Sequence, residues 1–438
     1  MKFDPTSFLY PLAVQHKDSL DLQINDKLEM DQSGTAICSI YAELLSNIRQ
    51  VSVRATLSSP SDTTTKAEIL DDGRRIQVHH KGQVRALDLP ASVIVRSTIP
   101  ISENSSQELA WRLPVPATEA QLARFSAENQ SIPWSSTDLK VGSSICCRNC
   151  GCEIVQQGRV KSWKDLPSEN WAEMMEFWHC HKPHDHGHEH HNGDALTKRG
   201  YGANSAITAQ PGIGFVDLTS FMFLESDCDG LLNGSAYRQQ FSRPNSESTF
   251  DTSKEAIDGA DPVKPLRITC KACASEIGLY NALASSITLF KWQVACETAS
   301  PSKAPSSSEC LAATLIATIS RSGSSKSVVA SHTFDTTAEG TRSEQPLSLN
   351  LWVLNANIVY TSTMREGRRT AIKLLYQDID VEQGNSLVDS MTSGVQEISF
   401  PAAAIKTARQ VLQESNSLMP VSERLFQQWH VGLLERWE

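Results

Sequence analysis

The chain has 438 residues, of which 40% are hydrophobic and 21% charged, and it carries a formal net charge of −10. This is the composition of an ordinary globular protein of two or three modules, and the acidic balance, with no long Lys/Arg run, excludes a binder that works by neutralising nucleic-acid phosphates. No apolar run approaches the roughly 20 residues that cross a bilayer, and Met1-Lys2-Phe3-Asp4-Pro5-Thr6 does not begin a secretory signal, so the expected setting is the cytoplasm and nucleus, with no membrane and no direct nucleic-acid partner.

Residues 1–140 read as an N-terminal β-rich domain. Leu20 to Ile24, Val51 to Leu57 and Ile76 to His79 alternate apolar and polar residues with period two, the pattern of strands with one face buried. Asp71-Asp72-Gly73-Arg74 predicts a hairpin turn between Ile69-Leu70 and Ile76. Ala91 to Val95 and Glu108 to Leu113 are further expected strands. Ser58 to Thr65 is a polar loop, and Glu119 to Glu128 reads as a short helix with Leu122, Ala123 and Phe125 near one face.

The central region, 141–299, opens with a strand-turn-strand knuckle over Ser143 to Val160. It contains Cys146-Cys147-Arg148-Asn149-Cys150-Gly151-Cys152. Pro167-Ser168-Glu169 predicts a helix start, with Trp171, Met174, Met175 and Trp178 at core spacing. His181 to His191 is a histidine-rich insertion of low complexity, expected to be solvated, with weak Zn, Ni or Cu binding as the alternative. Gly212 to Glu225 returns to a β pattern, Ser242 to Pro265 reads as a polar loop, and Leu266 to Thr269 leads into Cys270-Lys271-Ala272-Cys273. Leu289 to Val294 reads as a strand. Ser300 to Glu309, rich in Ser and Pro, is the expected linker.

The C-terminal region, 310–438, reads as β plus helix. Leu311 to Ile319 and Ser327 to Phe334 are expected as paired strands around Gly323. Leu347 to Leu354, Asn357 to Thr361 and Ala371 to Tyr376 are further strands. Pro401 to Ser415 predicts a helix with Ile405, Ala408, Val411 and Leu412 on one face, and a last helix is expected from about Val421 to Trp437. The fold class predicted is therefore α+β, mainly β, with a metal-clamped middle.

The chemistry concentrates on cysteine. A chain whose thiols stay reduced uses paired cysteines for metal rather than disulfides. A Cys-x-x-Cys knuckle supplies two thiolates from one tight turn, and two knuckles complete a tetrahedral, structural Zn²⁺ site. The expected ligands are Cys147, Cys150, Cys270 and Cys273. Cys146, Cys152, Cys180 and His181 are the alternatives. The two halves are 120 positions apart (270 − 150), far beyond the 15–20 residues usual in a zinc ribbon, so the segment between must fold as an insertion. No Gly-x-Ser-x-Gly elbow, His-Glu-x-x-His helix or phosphate loop is present. Cys180, flanked by His179 and His181, is the candidate nucleophile, because imidazoles lower a thiol's pKa. The competing expectation is a buried Cys180 beside Trp178.

Cys147-Arg148-Asn149-Cys150-Gly151, Leu166-Pro167-Ser168-Glu169-Asn170-Trp171, Trp178-His179-Cys180-His181 and Ile268-Thr269-Cys270-Lys271-Ala272-Cys273 together resemble the HECT-like ubiquitin-conjugating-enzyme-binding proteins. The resemblance extends over most of the chain, including Leu374-Leu375-Tyr376 and Pro420 to Trp429. It implies an accessory factor of the ubiquitin system that binds an E2 enzyme. Members are labelled E3 ubiquitin-protein ligases, and a fungal counterpart is named for its importance in polyadenylation. The resemblance therefore also implies a link to mRNA 3′-end processing, through the stability of the cleavage-and-polyadenylation endonuclease. One departure bears on activity. A HECT ligase carries ubiquitin as a thioester on a cysteine near its C-terminus, and here no cysteine follows Cys310. If a thioester forms, Cys180, Cys228 or a spare member of the first cluster is the carrier. Two functions follow: an E2-binding, ligase-like factor without a C-terminal thioester, or a non-enzymatic chaperone for the endonuclease.

Overall fold

The computed structural model describes residues 37–94, 98–101, 106–118, 132–166, 208–233, 265–282, 284–331, 348–390 and 392–438. Leu20–Ile24, Glu119–Glu128, the Trp171–Trp178 stripe, the histidine tract with Cys180 and His181, and all of the Ser242–Pro265 loop except Pro265 lie outside them. The described residues are mostly strand with three helices, so the expected mainly β, α+β class is observed. None of these helices is long and apolar enough to cross a membrane. Strands and helices segregate into two compact units: residues 1–123 with 359–368, and residues 124–358 with 369–438.

The first unit is built from β1 (Ile37–Leu45), β2 (Gln50–Leu57), β3 (Lys66–Leu70), β4 (Arg75–His80), β5 (Gln83–Asp88), β6 (Thr98–Ile99) and β7 (Glu108–Pro114). The alternation read in Val51 to Leu57 is real: Val51, Val53, Ala55 and Leu57 are buried and their neighbours are not. β1 and β7 flank β2 antiparallel, with Val53 opposite Ala42 and Trp111. A second sheet, in the order β5-β4-β3-β6, contributes Ile69, Ile76 and Val78 to the same core. The β3–β4 turn runs through Asp71, Asp72 and Gly73, all at positive φ. Ala91 to Ile94 is not a strand. Its backbone bonds go singly to different elements, Val93 N–H to Gly73 O and Ile94 N–H to Pro114 O, so no ladder forms.

In the second unit, β8 (Ile145–Cys147) and β9 (Glu153–Val155) form the expected knuckle, with β17 (Val294–Cys296) on the other edge of β8. Seven strands make the main sheet of this region: β10 (Ser162–Asp165), β11 (Ile213–Val216), β12 (Ser220–Leu224), β13 (Leu231–Asn233), β14 (Leu266–Cys270), β15 (Glu276–Asn281) and β16 (Ser286–Phe290). Their order is β10-β11-β12-β16-β15-β14-β13, and only β10–β11 is parallel. Trp163, Phe221, Phe223, Ile277 and Leu289 fill one core with Ile145 and Ile154 of the knuckle. β15 pairs antiparallel with β16 and comes close to it at Gly278, where a Cβ would meet Thr288 O at 1.9 Å. The strand expected across Leu289 to Val294 ends at Phe290. There the backbone turns, and Lys291 sends its ammonium inward to the carbonyls of Pro133, Asp217 and Leu218.

The rest of the unit is α1 (Ser307–Ser322), β18 (Lys326–Ser331), β19 (Ser348–Ser362), β20 (Arg365–Ile379), α2 (Val381–Asp389), β21 (Gln396–Phe400), α3 (Ala402–Ser417), β22 (Leu425–Phe426) and β23 (Trp429–Glu435). The long hairpin β19–β20 belongs to both units, its tip at 359–368 pairing with β1 in the first. Three expectations are corrected here. Leu311 to Ile319 is helix α1, not a strand. Ser306 accepts from Glu309 N–H and the Glu309 carboxylate accepts from Ser306 N–H, a capping box supplied by the expected linker. The expected strand pair around Gly323 is likewise absent. Gly323 ends α1 in a left-handed cap, and the strand that follows, β18, pairs with β19 and β21. The last segment, Val421 to Trp437, is a short turn and a hairpin, not a helix. Asn416 of α3 holds that hairpin through Arg424 O and Val431 O. The helix at Pro401 to Ser415 is observed as α3, burying Ile405, Ala408 and Leu412. It packs with α1 on Leu351, Leu374 and Leu434.

Candidate metal centre

Cys147, the last residue of β8, and Cys270, the last of β14, each end a strand and begin a tight turn. The two turns have the same hydrogen bonds. Cys147 N–H donates to Cys152 O and Gly151 N–H to Cys147 O, both at 2.8 Å; Cys270 N–H donates to Ser275 O at 2.9 Å and Ala274 N–H to Cys270 O at 2.8 Å. The residue after the second cysteine is left-handed in both, Gly151 at φ 74° and Ala274 at φ 57°. That conformation frees glycine of a Cβ clash and strains alanine.

The turns bring four sulfurs together. Cys147 Sγ is 3.7 Å from Cys273 Sγ, Cys150 Sγ is 3.6 Å from Cys270 Sγ, and all four lie within 4.8 Å of one another. Sulfurs on one tetrahedral ion at the usual Zn–S length of about 2.3 Å stand about 3.8 Å apart, so the set fits such an ion. The thiols left alone oppose one another. Burial pushes the Cys147 thiol up, against the N–H groups of Cys150 and Asn149, which favour its thiolate. The Cys152 N–H favours the Cys150 thiolate, yet burial and bonding to Cys273, Cys270 and Cys147 push that thiol up to about 12. Cys273 goes the other way, drawn down to about 5 by the Ser275 hydroxyl, the Asn149 amide and the Ser275 N–H. A bound cation removes the conflict, because it holds every ligand as thiolate.

Three neighbours that the motif does not announce shape the site. Asn149 Nδ2 donates to Ser275 Oγ at 3.0 Å, joining one knuckle to the other, and Ser275 Oγ is 3.3 Å from Cys273 Sγ. Arg148, between the first two cysteines, donates to Lys291 O at 2.8 Å, Val294 O at 3.0 Å and Pro305 O at 3.0 Å. Only the knuckle spacing is a sequence signal; none marks these partners.

Of the alternative ligands, Cys146 and Cys152 fall outside the four-sulfur group, although the Cys152 thiol still interacts with Cys270. Cys180 and His181 lie outside the described residues. Among the described thiols outside the cluster, three are buried in ways that oppose the thiolate. Burial pushes Cys296 and Cys310 up to about 12 each and raises Cys228 as well, the reverse of what an acyl carrier needs.

With the centre placed, comparison with known proteins adds its context. The family model described as HECT-like ubiquitin-conjugating enzyme (E2)-binding matches residues 43–431, nearly the whole chain and both knuckles. The chain belongs to this family. As a HECT-like E2-binding protein it has a role in the ubiquitin system. An uncharacterized protein of Saccharomyces cerevisiae is 24% identical over 336 residues, covering 75% of this chain and 80% of that one. An uncharacterized protein of Schizosaccharomyces pombe is 43% identical over 61 residues, 13% of this chain and 17% of its own. No solved structure matches.

Proposed function

We propose that the chain is an E2-binding accessory factor of the ubiquitin system, working in cytoplasm and nucleus, whose central region is locked by a structural Zn²⁺ on Cys147, Cys150, Cys270 and Cys273. The family match across residues 43–431 carries the E2-binding part. The four sulfurs at tetrahedral spacing support the zinc. A four-thiolate ion has no open position for substrate, so its task is to hold the fold. It ties β8 to β14 across the insertion, and the E2-binding surface depends on that tie. The test is a pull-down of purified chain with a panel of ubiquitin-charged E2 enzymes, beside metal analysis. One zinc per chain and capture of at least one E2 are expected. Cys270→Ser should lose the metal and soften the fold, since metal binding is coupled to folding. Full metal content and unchanged melting in that variant would overturn the assignment.

The second reading is a non-enzymatic chaperone for the cleavage-and-polyadenylation endonuclease. It is favoured by the complete burial of Cys310, the last cysteine in residues 1–438, which keeps that thiol from serving as a HECT-type carrier. Endonuclease binding with no E2-dependent ubiquitin product would decide for it.

A further inference from the structure

Away from the thiols, the first unit holds a hydroxyl, an imidazole and a carboxylate in series. Ser59 is half-buried on the loop between β2 and β3, and its Oγ is 3.0 Å from His80 Nε2. His80 ends β4 and is completely buried. On its other side, Nδ1 is 2.8 Å from Thr65 Oγ1. Thr65 accepts from Asp62 N–H at 2.9 Å and donates to Asp62 Oδ1 at 3.3 Å. Bonds from the Thr64 hydroxyl and N–H hold the Asp62 carboxyl below its ordinary range, so it stays ionised and can only accept. With the Thr65 proton on Asp62, the Thr65 oxygen takes the Nδ1 proton of His80. The Nε2 lone pair then faces the Ser59 hydroxyl. This is the tautomer of a general base beside a nucleophile, oriented by a third group.

The E2-binding reading supplies an acyl donor for such a group, the thioester that a charged E2 carries. Burial holds Cys228, Cys296 and Cys310 as thiols, as above. We propose that Ser59 is an acyl acceptor that takes ubiquitin from the E2 thioester as an oxyester. The proposal rests on the E2-binding reading. In the step, the Ser59 oxygen bonds to the C-terminal carbonyl carbon of ubiquitin, and the C–S bond to the E2 cysteine breaks. The hydroxyl proton passes to His80 Nε2 and from there to the departing thiolate. Nothing is oxidised or reduced, and exchange of a thioester for an oxyester runs downhill.

The experiment incubates the full chain with a ubiquitin-charged E2 that it binds in a pull-down, and reads the adduct on gels with and without thiol and with hydroxylamine. A thiol-resistant, hydroxylamine-labile ubiquitin adduct is expected, absent in Ser59→Ala. His80→Gln should form it about 10²-fold more slowly, the usual share of a general base. Ser59→Cys, which keeps the volume of the site, should convert it to a thiol-labile thioester. E2 binding without an adduct, an adduct that survives Ser59→Ala, or a thiol-resistant adduct in Ser59→Cys each overturns the proposal alone. Failure to bind any E2 overturns the reading beneath it and the proposal with it.

Discussion

Gly151 and Ala274 occupy the same place in the two knuckles, both left-handed, and only one of them is glycine. Nothing lies within 4 Å of where a Gly151 Cβ would sit, so Gly151→Ala meets a conformational cost and no collision. It should lose about 1 kcal/mol, and Ala274→Gly should gain a similar amount. Chemical denaturation of the metal-loaded protein reads both, and equal signs would contradict the matched geometry. The cysteines themselves were readable, because two residues between ligands is a property of one local turn. Which knuckle faces which was not, and neither were Asn149 and Ser275, whose bond spans the two turns.

At the scale of elements, Arg148 connects the first knuckle to the stretch from Lys291 to Pro305 that leads into α1. Its guanidinium is half-buried, and burial lowers its pKa from the ordinary value. A buried cation that satisfies three carbonyls leaves all three unpaired when removed. Arg148→Ala should keep its zinc, since no ligand changes, yet speed amide exchange across 291–306 by at least about tenfold; unchanged exchange there would show that the knuckle does not hold this stretch. The same region shows why α1 was misread. Cys310 to Ile316 is apolar nearly all round because the helix is buried on several sides, and a run without a polar face has no period to distinguish helix from strand. The signal that was present, Ser306 three residues before Glu309, sat in what composition marked as linker. The final hairpin failed for the opposite reason. Its seven-residue strand is placed by β20 and by α3, with Gly432 close enough that a Cβ would meet Leu412 at 2.7 Å and Tyr376 at 3.1 Å.

For the whole molecule, Lys291 sets a pH dependence. Burial brings its ammonium down from 10.5 to about 8, against the carbonyl bonds that favour the charge. The unfolded chain keeps this proton up to 10.5 and the folded chain releases it near 8, so between those values the unfolded state binds more protons and stability rises with pH. A gain of up to about 3 kcal/mol is expected across that window, flattened in Lys291→Met, and calorimetry from pH 7.5 to 10.5 measures it. The sequence by itself determined what depends on neighbours along the chain: the period-two strands, the Asp71–Gly73 turn, the amphipathic helix α3, the Cys-x-x-Cys turns and the lack of a cysteine beyond Cys310. Only the tertiary structure decided what depends on burial by distant segments. It set the helical state of α1, the sharing of β19 and β20 between two units and the inward turn of Lys291. It also met four sulfurs across a 120-residue separation, because a contact of that range carries no local pattern for a sequence to display.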